Sequence, residues 1–141
     1  MKNIDKLSEL VFMMSRITKE GLEEKDNSLS YIQFQTLAFL RRQNNPTMKE
    51  ISQHVHITAP STTILINNLV RMKLASRVND KDDRRVVRLV ITQNGKRELE
   101  KGSLAAKKHL KNVFSKLSKK DRDNLTCIMM KVSKLLNQNI I

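Results

Sequence analysis

Little in this chain of 141 residues stacks, cross-links or turns on glycine. There is no tryptophan, and aromatic residues make up 4% of the total, which argues against the aromatic platforms on which single strands and RNA bases stack. One cysteine excludes an internal disulfide framework and fits a reducing compartment. The chain has no phosphate-binding glycine loop, no nucleophile elbow, and no paired carboxylates outside one charged loop. No enzyme activity, catalytic residue or cofactor is therefore expected. No apolar run approaches the ~20 residues of a membrane span, and no signal peptide is apparent. No membrane partner is expected, and the expected location is cytoplasmic.

What is abundant is positive charge. Lysine and arginine number 27 against 14 acids, a formal net charge of +13. Such an excess fits a polyanionic partner or, equally, a solvated lysine-rich surface. The length suits one domain, 1–141, able to bury its own core.

Apolar residues at Ile4, Leu7, Leu10, Val11, Met14 and Ile17 repeat at helical spacing over Ile4 to Glu24, with Phe12 and Met13 widening the apolar face. A helix with so broad a face must dock on this domain or on a second copy of it. Asp26 to Ser30 reads as a break. Ser30 and Gln33 have capping-box spacing, so a helix starts at Tyr31, buries Phe34, Leu37 and Leu40, and ends on Arg41 and Arg42, which complement its dipole. Gln43 to Pro46 is a turn. Thr47 and Glu50 form a second capping box for a helix from Met48 to Val55, with Ile51 and Val55 facing inward.

His54 to Ile57 makes a tight turn into the densest stretch of the chain. Thr58 is its N-cap, and Pro60 is tolerated in a first turn whose N–H groups are unpaired anyway. Thr62, Leu65, Ile66 and Leu69 fix the buried side of this helix. Pro60, Ser61, Thr63, Ile64 and Asn67 lie opposite, short and uncharged, with room for a close approach. The helix ends near Met72 to Leu74.

Ala75 to Asn79 is extended, and Val86 to Thr92 alternates, with Val87, Leu89 and Ile91 on one side. Between them runs Asp80-Lys-Asp-Asp-Arg-Arg85, which projects into solvent or onto a partner. Thr92 caps a helix carrying Leu99, Leu104, Leu110, Val113 and Phe114. Ser118 and Asp121 open a last one with Leu125, Ile128, Met129, Val132, Leu135 and Leu136. The expected fold is mainly α with a small two-stranded β-wing. Helix, turn, helix and charged hairpin is the plan of a winged helix-turn-helix, which sets its second helix in the major groove of DNA.

His54 and His56, two residues apart, point to different faces of a helix and have no cysteine or carboxylate cluster beside them, so no metal site is expected. Cys127 sits in an apolar helical context and reads as a buried structural cysteine. Met13, Met14, Met129 and Met130 read as adaptable packing, with a lipophilic effector pocket as the lesser alternative.

From Leu29 to Gly95 the chain resembles the MarR family of transcriptional regulators. The matching residues are Leu29 to Phe34, Ile51-Ser52, Thr58 to Ser61, Leu65 to Leu69, Lys73-Leu74, Arg77, Asp80, Asp83-Arg-Arg85, Leu89 to Thr92 and Gly95. The Asp-Arg-Arg wing, its strand and the Thr-x-x-Gly helix start are the most specific piece. The resemblance implies a homodimer built on terminal helices, about 1–28 and 96–141. It also implies one winged helix-turn-helix per subunit, about 30–95, facing a half-site of an inverted-repeat operator in double-stranded DNA. Three positions depart from the family pattern: Ile64 stands where a basic residue is frequent, Asp82 replaces an arginine of the wing loop, and Lys73 occupies a common glycine position.

Ser61 and Thr63 position the helix on DNA more than they specify a base. Asn67 makes a bidentate contact to adenine only where the helix lies deep. In the wing, Asp83, Arg84 and Arg85 serve two roles: an acid pairs with one arginine to fix the loop, and the remaining guanidinium enters a narrow minor groove. Two functions are carried forward. One is a sequence-specific dimeric regulator, a repressor released by a small lipophilic or anionic effector. The other is an architectural protein that coats DNA through charge alone.

Overall fold

The computed structural model describes residues 2–22 and 28–138. Among these the chain forms six helices and one two-stranded antiparallel sheet: α1 (Lys2–Leu22), α2 (Tyr31–Arg42), α3 (Met48–Val55), α4 (Ala59–Arg71), β1 (Ala75–Asn79), β2 (Val87–Ile91), α5 (Gln93–Ser115) and α6 (Lys119–Gln138). None of these helices is long and apolar enough to cross a membrane. The expected end of the first helix at Glu24, and the first two residues of the break at Asp26 to Ser30, lie outside the described residues.

Short side-chain hydrogen bonds start each helix from α2 to α5. Both expected capping boxes form. The Gln33 side chain accepts from the Ser30 N–H at 2.9 Å, and the Glu50 side chain accepts from the Thr47 N–H at 2.7 Å. Such caps each contribute about 1 kcal/mol by satisfying donors that the first turn leaves open. Thr58 caps α4 through the Ser61 N–H, and Thr92 caps α5 through the Gly95 N–H. The turn between α3 and α4 is tighter than expected. His54 and Val55 stay helical, and the reversal falls on His56, whose φ of 54° is left-handed.

The end of α4 explains the unusual lysine. Lys73 takes φ 60°, its N–H donates to the Val70 carbonyl, and the Leu74 N–H reaches back to the Leu69 carbonyl. This closes the helix as a Schellman motif, with buried Leu69 and Leu74 making its apolar contact. A glycine there would escape the steric penalty of about 1–2 kcal/mol that a side chain meets in this region. The start of α5 then seats on the same exit. Thr92 donates through its hydroxyl to the Lys73 carbonyl at 2.7 Å, and a Cβ on Gly95 would lie 2.0 Å from the Leu74 carbonyl oxygen. Only glycine allows that approach.

The core gathers Leu29, Leu37, Leu40, Ile51, Leu65, Ile66, Leu69, Leu74, Leu89, Ile91 and Leu99 from α2 through α5. In α2, Phe34 is only partly buried, while Thr36 and Phe39 are buried beside Leu37. Thr36 satisfies its hydroxyl by donating to the Ile32 carbonyl at 2.7 Å, which removes the cost of hiding it. α1 lies along α5, yet its described apolar side chains remain exposed. α6 packs extensively on no other element among the described residues. For that reason Cys127, expected to be buried, is exposed in the single chain.

Candidate nucleic-acid interface

On α4 the two faces separate as the spacing predicts. Thr62, Leu65, Ile66 and Leu69 are buried, and Pro60, Ser61, Thr63, Ile64 and Asn67 are all exposed. Thr62 hides its hydroxyl by donating to the Thr58 carbonyl at 2.9 Å, so a polar residue enters the core without cost. Thr63 donates in the same way to the Ala59 carbonyl at 3.1 Å, which leaves its oxygen free to accept. Ser61 accepts from the Thr58 hydroxyl at 2.9 Å, which leaves its own O–H available to donate. Ile64 is 64% exposed, an apolar side chain standing among polar ones on an otherwise well-packed helix.

The wing is held from both ends. β1 and β2 pair from Ala75 with Ile91 to Asn79 with Val87. The turn before α3 adds a short third edge, where the Leu89 N–H donates to the Pro46 carbonyl at 2.9 Å and Thr47 bridges to Arg88. Arg88 ties these pieces together. It donates through Nε to Asp80 and through Nη1 to the Asn45 carbonyl at 2.9 Å. Asp80 also accepts from the backbone N–H groups of Asp82 and Asp83 at 2.9 and 3.1 Å. The Arg88 bond first, then those two N–H groups, hold the Asp80 carboxyl down at about 2.

At the tip, Asp83 takes both Nε and Nη2 of Arg85, at 3.1 and 3.2 Å, and this pairing lowers its pKa. The Arg85 side chain nevertheless stays 90% exposed. Arg84 is exposed and makes no ion pair among the described residues. The acid that fixes the tip is thus Asp83, and the loop's base is fixed by Asp80 through a residue outside the loop.

Arg88 and Arg77 have roles that the sequence pattern did not suggest. Each interrupts an alternation: Arg88 lies between Val86 and Val90, and Arg77 shares its face with Ala75 and the buried Leu89. Arg77 donates to the side-chain oxygen of Asn67, so one exposed residue of α4 is already engaged by the wing. His54 has a packing role, its ring stacked on Phe39 at a centroid distance of 4.0 Å, and burial lowers its pKa. Among the described residues no cluster of histidine, cysteine and carboxylate groups could hold a metal.

Residues 27–86, from just before α2 to the end of the wing loop, match the family model described as MarR family. Over this region the chain is similar to the MarR family. An uncharacterized HTH-type transcriptional regulator of Bacillus subtilis, YsmB, is 30% identical over 82 residues, which is 58% of this chain and 56% of the relative. The chain thus matches little more than half the length of that relative. Among solved structures, the transcriptional regulator Tm0710 of Thermotoga maritima superposes with a TM-score of 0.77 at 21% identity, covering 99% of this chain and 97% of that one. A mutant of S. aureus MepR, solved bound to an oligodeoxyribonucleotide, gives 0.64 at 23% identity over 95% and 97% of the two chains. At these identities the likeness is one of fold, and it extends beyond the matched region to the terminal helices.

Proposed function

We propose that this chain is a MarR-type, sequence-specific DNA-binding transcription regulator that works as a homodimer. The observation that carries the reading is the outward face of α4. It is uncharged and exposed along Pro60, Ser61, Thr63, Ile64 and Asn67, and Asn67 is bonded to Arg77 of the hairpin whose tip carries the exposed Arg84 and Arg85. A neutral helix face suits base edges, with Ile64 fitted to a thymine methyl. The wing arginines suit the negative potential of a narrow minor groove. The relative named as an HTH-type regulator and the DNA-bound MepR mutant support the same reading.

Dimerisation is supported by the apolar faces left open on α1 and α6, too large for a stable lone chain. Two copies with one reading helix each require an inverted repeat, with half-site centres about one turn, ~10 bp, apart. The regulator acts as a repressor, and a small lipophilic or anionic ligand releases it. An open cavity of about 430 Å³ on α5, lined by Lys108, His109, Lys111, Asn112 and Ser115, suits the anionic form.

Selection of bound DNA from a random pool tests this, followed by titration on selected and random DNA at fixed salt. A specific regulator yields a symmetric consensus and an affinity ratio of ~10³ or more. A ratio near one, with no consensus, favours coating of DNA by charge. A promoter reporter separates repression from activation, and a releasing ligand lowers affinity for the operator in the same titration.

A further inference from the structure

Asn67 and Arg77 belong to different elements, yet their side chains meet. Arg77 pairs with Leu89 across the hairpin, and directly opposed residues share one face of a sheet. Leu89 is fully buried against the helices, so the stem of Arg77 runs on that same face toward α4. There its Nη2 donates to Oδ1 of Asn67 at 2.5 Å. A guanidinium has donors only, so the amide atom it meets must be the oxygen, which resolves the usual ambiguity of an asparagine's orientation. Among the described residues, neither side chain makes another hydrogen bond.

We propose that Arg77 is a specificity-determining residue: by setting its guanidinium on the Asn67 carbonyl, it biases Asn67 to read as a donor and so to select guanine. An asparagine with both amide ends free matches adenine, donating to N7 while accepting from the N6 amino group. Here one of the two acceptor lone pairs is taken by a cation, while both N–H donors of the exposed Asn67 amide remain unpaired among the described residues. Adenine's amino group, a donor, would have to approach that carbonyl beside the positive guanidinium, which disfavours it. Guanine presents N7 and O6, two acceptors and no donor, on the same edge. Thymine offers O4 alone, and cytosine offers a donor. The inference rests on the reading that α4 enters the major groove, and it concerns one base per half-site.

The test selects operators from a random pool with the wild-type chain, Asn67→Ala, Arg77→Met and Arg77→Lys. Both positions are exposed, and circular dichroism checks that each variant is folded. The wild-type consensus should hold a guanine in each half-site with a preference of about tenfold. Asn67→Ala erases that preference. Arg77→Met, which keeps the stem and loses the donors, turns it to adenine, while Arg77→Lys retains a donor and keeps guanine. Three results overturn the proposal while leaving DNA reading by α4 intact: adenine at the Asn67-dependent position in the wild type, guanine unchanged in Arg77→Met, or a switch to adenine in Arg77→Lys as well. A consensus untouched by Asn67→Ala also overturns it. Failure of the wild type to select any consensus overturns both this proposal and the reading beneath it.

Discussion

Leu37, Ile51, Ile66 and Leu89 are sealed from solvent, whereas Ile4, Leu7, Leu135 and Leu136, no less apolar, are each more than half exposed. The first group lies between α2 and β2, where capped helices and a small sheet close around one another. The second lies on α1 and α6, long helices whose apolar side chains stay exposed among the described residues. The contrast separates two kinds of stability. The central region is satisfied within one chain, so its geometry is set before any partner arrives. The terminal helices leave apolar surface open, which association through the proposed dimer would bury. Under the proposed dimer, the central region would be a reading head carried on helices that a second copy completes, and two such heads would stand at a set spacing.

The sharpest way to break this comparison is to damage each region separately. Leu37→Ala, in the sealed core, should cost about 2–5 kcal/mol of stability, because the cavity it leaves cannot collapse. Urea unfolding at two protein concentrations should report the same loss in both. If the loss is under 1 kcal/mol, the central region is not the self-sufficient unit described.

The matching change at the other end is Leu135→Glu. On a solvated helix it would alter stability by no more than about 0.5 kcal/mol. In an interface it leaves a carboxylate without a partner, at a cost of at least about 2 kcal/mol in association. Sedimentation at micromolar concentration should then show monomer for the variant and dimer for the wild-type chain. An unchanged profile would remove the distinction between the two regions.

Within the reading head, the helix and the wing can be separated by salt. Arg85→Ala should lower affinity for every DNA by about 1–3 kcal/mol and make the salt slope shallower by about one. Thr63→Ala should instead narrow the gap between operator and random DNA and leave the slope nearly unchanged. Titration of both variants on both DNAs at several salt concentrations checks this. If Arg85→Ala changes neither affinity nor slope, Arg85 serves only its pair with Asp83.

The smallest effect is expected at the wing's base. The pKa of Asp80 is lowered from 3.8 to about 2 in the folded chain, so its contribution is present above 3.8 and is lost as pH falls toward about 2. Asp80→Asn should flatten the acid limb of the stability curve across that window. Unfolding midpoints measured over the same pH range decide it, and parallel curves would mean that the Arg88 bond is absent in solution.

Much of the reading head was legible from residue spacing. Ser30 with Gln33, Thr47 with Glu50, and the split of α4 into buried and exposed faces all depend on residues within one or two helical turns. Local backbone geometry is enough to decide them. Asp83 with Arg85 belongs to the same class, being two residues apart. The strand bounds shifted only slightly, from Val86–Thr92 to Val87–Ile91.

Other features waited on the fold because they join residues far apart in the chain. Charge in the wing loop was plain, yet Asp80 bonds to Arg88, eight residues away and outside the loop, and Arg88 in turn reaches the Asn45 carbonyl. That partnership depends on the hairpin register and on how the turn before α3 meets β2. The apolar context of Cys127 suggested burial, but helical periodicity says only which face is apolar, not what covers it. Asn67 could be placed on the outward face of α4 from spacing alone. That its carbonyl is held by Arg77 follows from the packing of β1 against the helix, a contact no local pattern encodes. The sequence by itself thus determined the elements, their caps and their faces, through interactions a few residues long. The tertiary structure decided which donor meets which acceptor between elements, because those distances exist only once the hairpin and helices have closed on one another.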